Sequence, residues 1–224
     1  MKLYQHPVST TSRPILMFIA DEGLDVDLQI VDILAGEQYG DAFTQVNPNN
    51  TVPVLEDGDF RLTESSAILK YLAEKSGSTA YPADIHARAR INETMDWFNT
   101  GFYRAFGYGL VYPQILDTCK LPDTAAQALQ VVAGKEQTER LLKILNDGKL
   151  GDGTPWLCGD TITIADYLAS GMVSAGELIG CTFSAYPNIC AWYDRVKATP
   201  NWESANAGLY EWVKMTHGPE YLTV

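Results

Sequence analysis

Basic residues are scarce in this chain: 16 lysines and arginines stand against 28 aspartates and glutamates, a net charge of −12 over 224 residues. Nucleic acid and anionic membrane surfaces both require a positive footprint, so neither fits as a partner. Histidine is scarcer still. His6, His86 and His217 are the only three, none spaced as a pair of zinc ligands, and no metal is expected. The four cysteines, Cys119, Cys158, Cys181 and Cys190, include no C-x-x-C pair. They read as reduced structural thiols of a cytoplasmic protein. No apolar run approaches the length of a membrane span, and MKLYQHPVST carries no apolar signal region. Internal repeats and low-complexity tracts are absent too.

What is present divides the chain. Leu3-Tyr4 is a short strand candidate. Ile15, Phe18 and Ile19 form a helical stripe between Pro14 and Glu22, and Asp27 to Ile33 alternates as a strand does. TVPVLEDGDFRLT reads as a hairpin, Val52–Leu55 and Phe60–Thr63 about an Asp57-Gly58 turn, and Glu64 to Lys75 as a helix. The order β-α-β then β-β-α predicts a mixed sheet covered by helices over residues 1–80. A linker follows at about 77–86. From 87 to 224 only helical patterns remain: His86–Val111, Thr124–Asn146, Thr163–Leu178, Pro187–Lys197 and Trp202–Met215.

Four alcohols, Ser9, Thr10, Thr11 and Ser12, precede the first helix, and Ser12 or Thr11 suits its cap. Pro53 cannot donate to a sheet ladder. It marks either an edge or turn, or a cis peptide that turns the Val52 backbone toward an extended ligand. Glu64-Ser65-Ser66 opens a helix. Those residues either cap it or pair with an ammonium and a carboxylate at the amides of its first turn. Thr163 and Asp166 form a capping box with a folding role. Seven aromatic side chains lie between Trp97 and Tyr112. They exceed what one buried stripe needs, so some line a cleft or an interface.

Taken in order, Pro7-Val8-Ser9-Thr10-Thr11-Ser12-Arg13, Asn47 to Leu55 with Val52-Pro53, Glu64-Ser65-Ser66-Ala67-Ile68 and the Thr163–Asp166 box resemble the cytosolic glutathione transferases, closest to the theta and delta groups and their bacterial relatives. The resemblance covers essentially the whole chain. It implies a thioredoxin-like glutathione-binding domain followed by an all-helical domain that contributes the electrophile pocket, near Tyr103 and Phe106. It implies that Pro53 is cis, that the Val52 backbone pairs with the cysteinyl part of glutathione, and that Glu64 and Ser65 hold its γ-glutamyl end. Counting four residues back from Arg13 implies Ser9 as the donor to the glutathione sulfur, with Ser12 its rival. At the positions where histidines and an arginine surround the glycine carboxylate in the delta group, this chain has Gln38, Asn50 and Ser66. The implied activity is attack of glutathione thiolate on a small hydrophobic electrophile by a homodimer, with glutathione as co-substrate. Disulfide reduction or isomerisation on the same scaffold, and a non-catalytic thiol-binding module, are the alternatives.

Overall fold

The computed structural model describes residues 1–224. Strand β1 (Lys2–Gln5) leads through helix α1 (Arg13–Asp21) to β2 (Asp27–Ile30). A 3-10 turn (Glu37–Tyr39) and a single helical turn, α2 (Asp41–Thr44), follow. The hairpin β3 (Val54–Asp57) and β4 (Phe60–Leu62) then leads into α3 (Ser65–Ser76). The sheet order is β2-β1-β3-β4, with β1 and β2 parallel and the other two pairings antiparallel. This is the mixed sheet that the alternation of strand and helix patterns predicts. β3 begins two residues later than its apolar pattern suggests, because Pro53 has no N–H for the ladder, and the hairpin turns at Gly58-Asp59 rather than Asp57-Gly58.

The remainder is helical. α4 (Ile85–Trp97) runs on into π-helical turns at Phe98–Phe102 and Arg104–Val111, then into α5 (Tyr112–Ile115). The long helices α6 (Thr124–Ile144) and α7 (Ile164–Ser174) precede α8 (Pro187–Lys197) and α9 (Trp202–Thr216). The pattern read as one helix over 86–111 is therefore continuous, but more than half of it beyond Trp97 is wound wider than an α-helix.

One apolar core joins the sheet to the helices: Leu3, Ile15, Phe18 and Leu55 belong to the same buried cluster as Phe106, Leu168 and Trp192. Two glycines set how closely these layers meet. A Cβ on Gly171 of α7 would lie 2.5 Å from Pro14 and 2.7 Å from the Thr10 carbonyl, so only glycine lets α7 press on the start of α1. At the crossing of α6 over the π-helical segment, a Cβ on Gly134 would lie 2.3 Å from the Gly109 backbone.

The capping box is a junction for three elements. Asp166 accepts from the Thr163 N–H (2.8 Å) and hydroxyl (2.9 Å), from the Leu157 N–H (2.9 Å) and from Trp192 Nε1 of α8 (2.9 Å). No helix is long and apolar enough to cross a membrane.

Candidate active site

A cavity of about 550 Å³ lies between the sheet layer and the π-helical segment. Its floor is the loop Val8–Thr11. One side carries Gln38, Asn50 and Val52, the other Tyr103, Tyr108 and Tyr112, with Leu116, Cys119 and Trp212 toward the rim. No lysine, arginine, histidine, aspartate or glutamate lines it.

Ser9 holds the floor together. Its carbonyl accepts from the Ser12 and Arg13 N–H groups, both at 3.1 Å, and its Oγ accepts from the Ser12 N–H at 3.2 Å. That is the bonding of a helix cap three residues before its acceptor's donor. Ser12, expected as the cap, already has helical backbone angles and makes no cap hydrogen bond. Its hydroxyl is fully buried without any partner. Thr11 does not cap either: its hydroxyl donates to the Val52 carbonyl at 3.2 Å. A carbonyl only accepts, so the Thr11 proton is committed, and Ser9 must be the donor in the 3.2 Å Ser9–Thr11 contact. With one lone pair on the Ser12 N–H, the Ser9 hydroxyl directs its proton to Thr11 Oγ1, a single 3.2 Å contact at the cavity floor. The Thr10 and Thr11 N–H groups donate to no protein acceptor, as the first-turn amides of a helix do.

The Val52–Pro53 peptide is cis. Val52 is on the cavity wall, whereas Pro53 is behind it. Glu64 takes φ +66°, in the left-handed region that non-glycine residues seldom occupy, just ahead of α3. Glu64 and the buried Ser65 are not among the residues lining the cavity. Ser9, Gln38, Asn50, Val52 and Tyr103 are brought together around it; Pro53, Glu64 and Ser65 do not line it.

Phe106 is a correction. It is fully buried, stacked among Phe102 and Phe183, and does not reach the cavity. On an α-helix, residues three apart share a face, which is why Tyr103 and Phe106 read as neighbours. The i→i+5 ladder here winds about 4.4 residues per turn, roughly 80° per residue, so residues three apart are separated by about 120° around the axis rather than the about 60° of an α-helix. Tyr103 faces the cavity and Phe106 the core.

Sequence reasoning missed the partner of Thr10. Thr10 Oγ1 meets the Tyr112 hydroxyl at 2.7 Å, and Tyr112 meets the Tyr103 hydroxyl at 2.8 Å. This chain of three alcohols ties the α1 loop to the helical layer. Burial pushes the Tyr112 hydroxyl up to about 12 and drives that of Tyr103 well above the ordinary phenol range. Both stay protonated at neutral pH. Ile33, Leu34, Leu116 and Trp212 were also unforeseen; they arrive from loops and from α9, with no local pattern to announce them.

The next residue along, Arg13, points away from the cavity. Its guanidinium is wholly buried, donating to Ser174 at 2.9 Å and also to Asn206. No carboxylate pairs with it, and burial lowers its pKa. It clamps α1 to α7 and α9.

A thioredoxin-like layer whose first loop offers hydroxyls and free amides in place of a cysteine pair, backed by an aromatic helical layer, defines a protein built to hold a thiol beside an apolar substrate. The comparisons narrow the class. The family model "Glutathione S-transferase, N-terminal domain" matches residues 1–74, and "Glutathione S-transferase, C-terminal domain" matches 112–200. Mouse glutathione S-transferase theta-3 and human theta-1 are each 34% identical over 205 residues, covering 88% of this chain and 82% of the relative. Human glutathione transferase theta-2, solved in complex with glutathione and an unknown ligand, superposes with a TM-score of 0.82 at 29% identity over 100% of this chain and 93% of that one. A delta-class enzyme of Nilaparvata lugens gives 0.79 at 29% identity, covering 96% and 97%. The chain belongs to the glutathione S-transferase family.

Proposed function

We propose that this glutathione transferase binds glutathione along the Val52 backbone, with the γ-glutamyl ammonium on Glu64 and its carboxylate at Ser65 and the first-turn amides of α3, and activates the thiol at Ser9. The observation that carries the reading is the Ser9 hydroxyl at the floor of a cavity whose far wall is aromatic, its proton held only by Thr11 Oγ1 at 3.2 Å. A sulfur seated there competes with Thr11 for that proton. Donation from Ser9 and the unpaired Thr10 and Thr11 amides stabilise the thiolate over the thiol. A thiol of pKa about 8.5 is only a few per cent ionised at pH 7, and lowering it by about two units makes the thiolate dominant. No side-chain base lines the cavity, so the thiol proton leaves to water. The thiolate then forms a carbon–sulfur bond to an electrophile held against Tyr103 and Tyr108. A leaving group departs with the bonding electrons, or the electrons pass onto the acceptor in an addition. Proximity supplies much of the rate. In this reading residues 1–80 and 87–224 are the two domains, and the enzyme works as a cytoplasmic homodimer.

The test is glutathione affinity by calorimetry, followed by conjugation of a panel of halides, epoxides and enals. Glu64→Gln should weaken glutathione binding by about 1–3 kcal/mol, the scale of a lost charge-assisted hydrogen bond. Unchanged affinity would remove Glu64 from the site.

A further inference from the structure

The alcohol chain through Thr10, Tyr112 and Tyr103 has two ends, and both belong to the cavity. Thr10 is part of the floor beside Ser9, Tyr103 part of the aromatic wall, and Tyr112 is buried between them. The contacts are 2.7 Å from Thr10 Oγ1 to Tyr112 and 2.8 Å from Tyr112 to Tyr103. Neither Thr10 Oγ1 nor the Tyr103 hydroxyl has another partner in the protein.

A hydroxyl has one proton to give and lone pairs with which to accept. Three hydroxyls therefore bring three protons to two contacts, and one proton is left over. It does not stay on Tyr112: both ends would then donate to Tyr112, and its own proton would be buried without an acceptor. Two arrangements remain. Where Tyr103 donates to Tyr112 and Tyr112 to Thr10, the free proton is that of Thr10. Where every bond is reversed, it is that of Tyr103. No acid or base competes for it, since no charged side chain or histidine lines the cavity and burial keeps both phenols protonated at neutral pH.

We propose that this chain is a reversible donor: its free proton points from Thr10 to the thiolate before reaction and from Tyr103 to the electrophile as the carbon–sulfur bond forms, so that the enzyme favours electrophiles that take up charge on oxygen, epoxides and α,β-unsaturated carbonyls, over alkyl halides. The inference rests on the thiol site at Ser9 given above. Negative charge leaves the floor and arrives at the wall in one step. A sulfur lone pair forms the bond to carbon. Either an epoxide C–O bond breaks with its electrons on oxygen, or the C=C pair shifts toward the carbonyl oxygen. The three hydroxyls turn over without breaking an O–H bond, and the alkoxide or enolate takes its proton from water as the product leaves. A hydroxyl that accepts a hydrogen bond donates a stronger one, so the donating end is reinforced by the other two. A departing iodide is a weak acceptor and draws little from Tyr103. Tyr112 touches neither reactant; it is a positioning residue that acts through its neighbours.

The experiment measures kcat/KM for an aryl epoxide, an alkenal and an alkyl iodide, at a pH above the thiolate midpoint of each variant. It also measures that midpoint by the thiolate absorbance of the glutathione complex. Tyr103→Phe should lower the epoxide-to-iodide and enal-to-iodide ratios by at least about 10-fold, the low end for one preorganised donor. Tyr112→Phe and Thr10→Val, which remove hydroxyls away from the electrophile, should lower both ratios in the same direction and raise the thiolate midpoint. Ratios unchanged in Tyr112→Phe, or an equal loss on all three electrophiles as a merely structural role would give, overturn the proposal and leave the transferase reading intact. Should Tyr112→Phe fail to fold, Thr10→Val decides: an unchanged ratio there overturns the proposal as well. Failure of the unaltered enzyme to conjugate any of the three overturns the transferase reading, and this one with it.

Discussion

Tyr103 and Tyr112 are nine residues apart, and their hydroxyls meet at 2.8 Å. On an α-helix nine steps of about 100° put two side chains on opposite faces. At roughly 80° per step they return to the same one, so the π-helical winding over Arg104–Val111 is what assembles the alcohol chain that begins at Thr10. Gly107 makes room for it. A Cβ there would lie 2.6 Å from the Tyr103 ring and 3.3 Å from that of Tyr112.

Gly107→Ala should therefore push Tyr103 away from Tyr112 and destabilise the fold by about 1–3 kcal/mol, the scale of overpacking. Glutathione affinity should stay, because the Val52 side of the cavity is untouched, while kcat/KM for bulky electrophiles changes. Gly101→Ala is the internal control. It lies in the same helical run with open space around its Cβ position, and should stabilise by about 0.5–1 kcal/mol. Denaturant melts of the two variants check both signs; a harmless Gly107→Ala would mean that the Tyr103 ring is free to move.

Asp166 reads from the sequence as a helix cap, which sets the expected cost of Asp166→Ala at about 0.5–2 kcal/mol. The structure raises it. The carboxylate serves four donors from three elements, and its removal leaves the Leu157 N–H and Trp192 Nε1 buried without acceptors. The cost should be about 3–5 kcal/mol. Chemical denaturation measures it, and the emission of Trp192 should shift as its indole loses its partner. A loss of only about 1 kcal/mol would show that water replaces the carboxylate.

The contrast between Asp166 and Phe106 shows what was legible in the chain and what was not. The Thr163-x-x-Asp166 spacing names a cap because capping is a local contact between residues three apart. Its reach to Trp192 is tertiary and leaves no local mark. Tyr103 and Phe106 were paired by assuming 3.6 residues per turn, and no residue pattern announces that the winding changes at Phe98. The start of α1 was legible: Pro14 lies in its first turn and Ser12 stands just before it. The capping bond was not, because the hydroxyl that takes the Ser12 N–H is that of Ser9, a turn earlier. The loop motifs around Ser9, Val52 and Glu64 were readable as motifs. Ile33, Leu116 and Trp212 were not, since only folding brings them to the cavity.

Alkaline pH should unfold the protein through its buried phenols. Tyr112 is pushed up to about 12 by burial, and Tyr103 and Tyr193 are driven well above the ordinary range. Unfolded tyrosines titrate near 10. The native state thus keeps protons that the unfolded state releases. This contribution is complete below about pH 10 and is lost as the pH rises toward the native value, at about 1.4 kcal/mol per pH unit for each phenol. Urea midpoints measured between about pH 9 and 12 should fall with that sign. Tyr112→Phe should flatten the fall by one phenol's share, and an unaltered slope would mean that Tyr112 titrates as an exposed phenol.

The last expectation separates Ser9 from Ser12, and the structure gives the two serines unequal work. Ser9 Oγ accepts from the Ser12 N–H, and its proton, on Thr11 Oγ1 in the free protein, can turn to a ligand. Ser9→Ala should accordingly lose both functions. Stability should fall by about 0.5–2 kcal/mol, as for a lost cap. The pKa of bound glutathione should rise, and turnover should drop by about 10–1000-fold, the range for one preorganised donor. The Ser12 hydroxyl is buried without a partner. Ser12→Ala removes a desolvated group that gains nothing in return, so stability should hold or rise by up to about 1 kcal/mol, with catalysis kept. Thiolate absorbance of the glutathione complex against pH, recorded beside thermal melts, reads both effects in the same samples. A titration moved by Ser12→Ala and not by Ser9→Ala would exchange the roles. If neither variant moves it, the thiolate is held by the Thr10 and Thr11 amides, and Ser9 is left as the cap of α1.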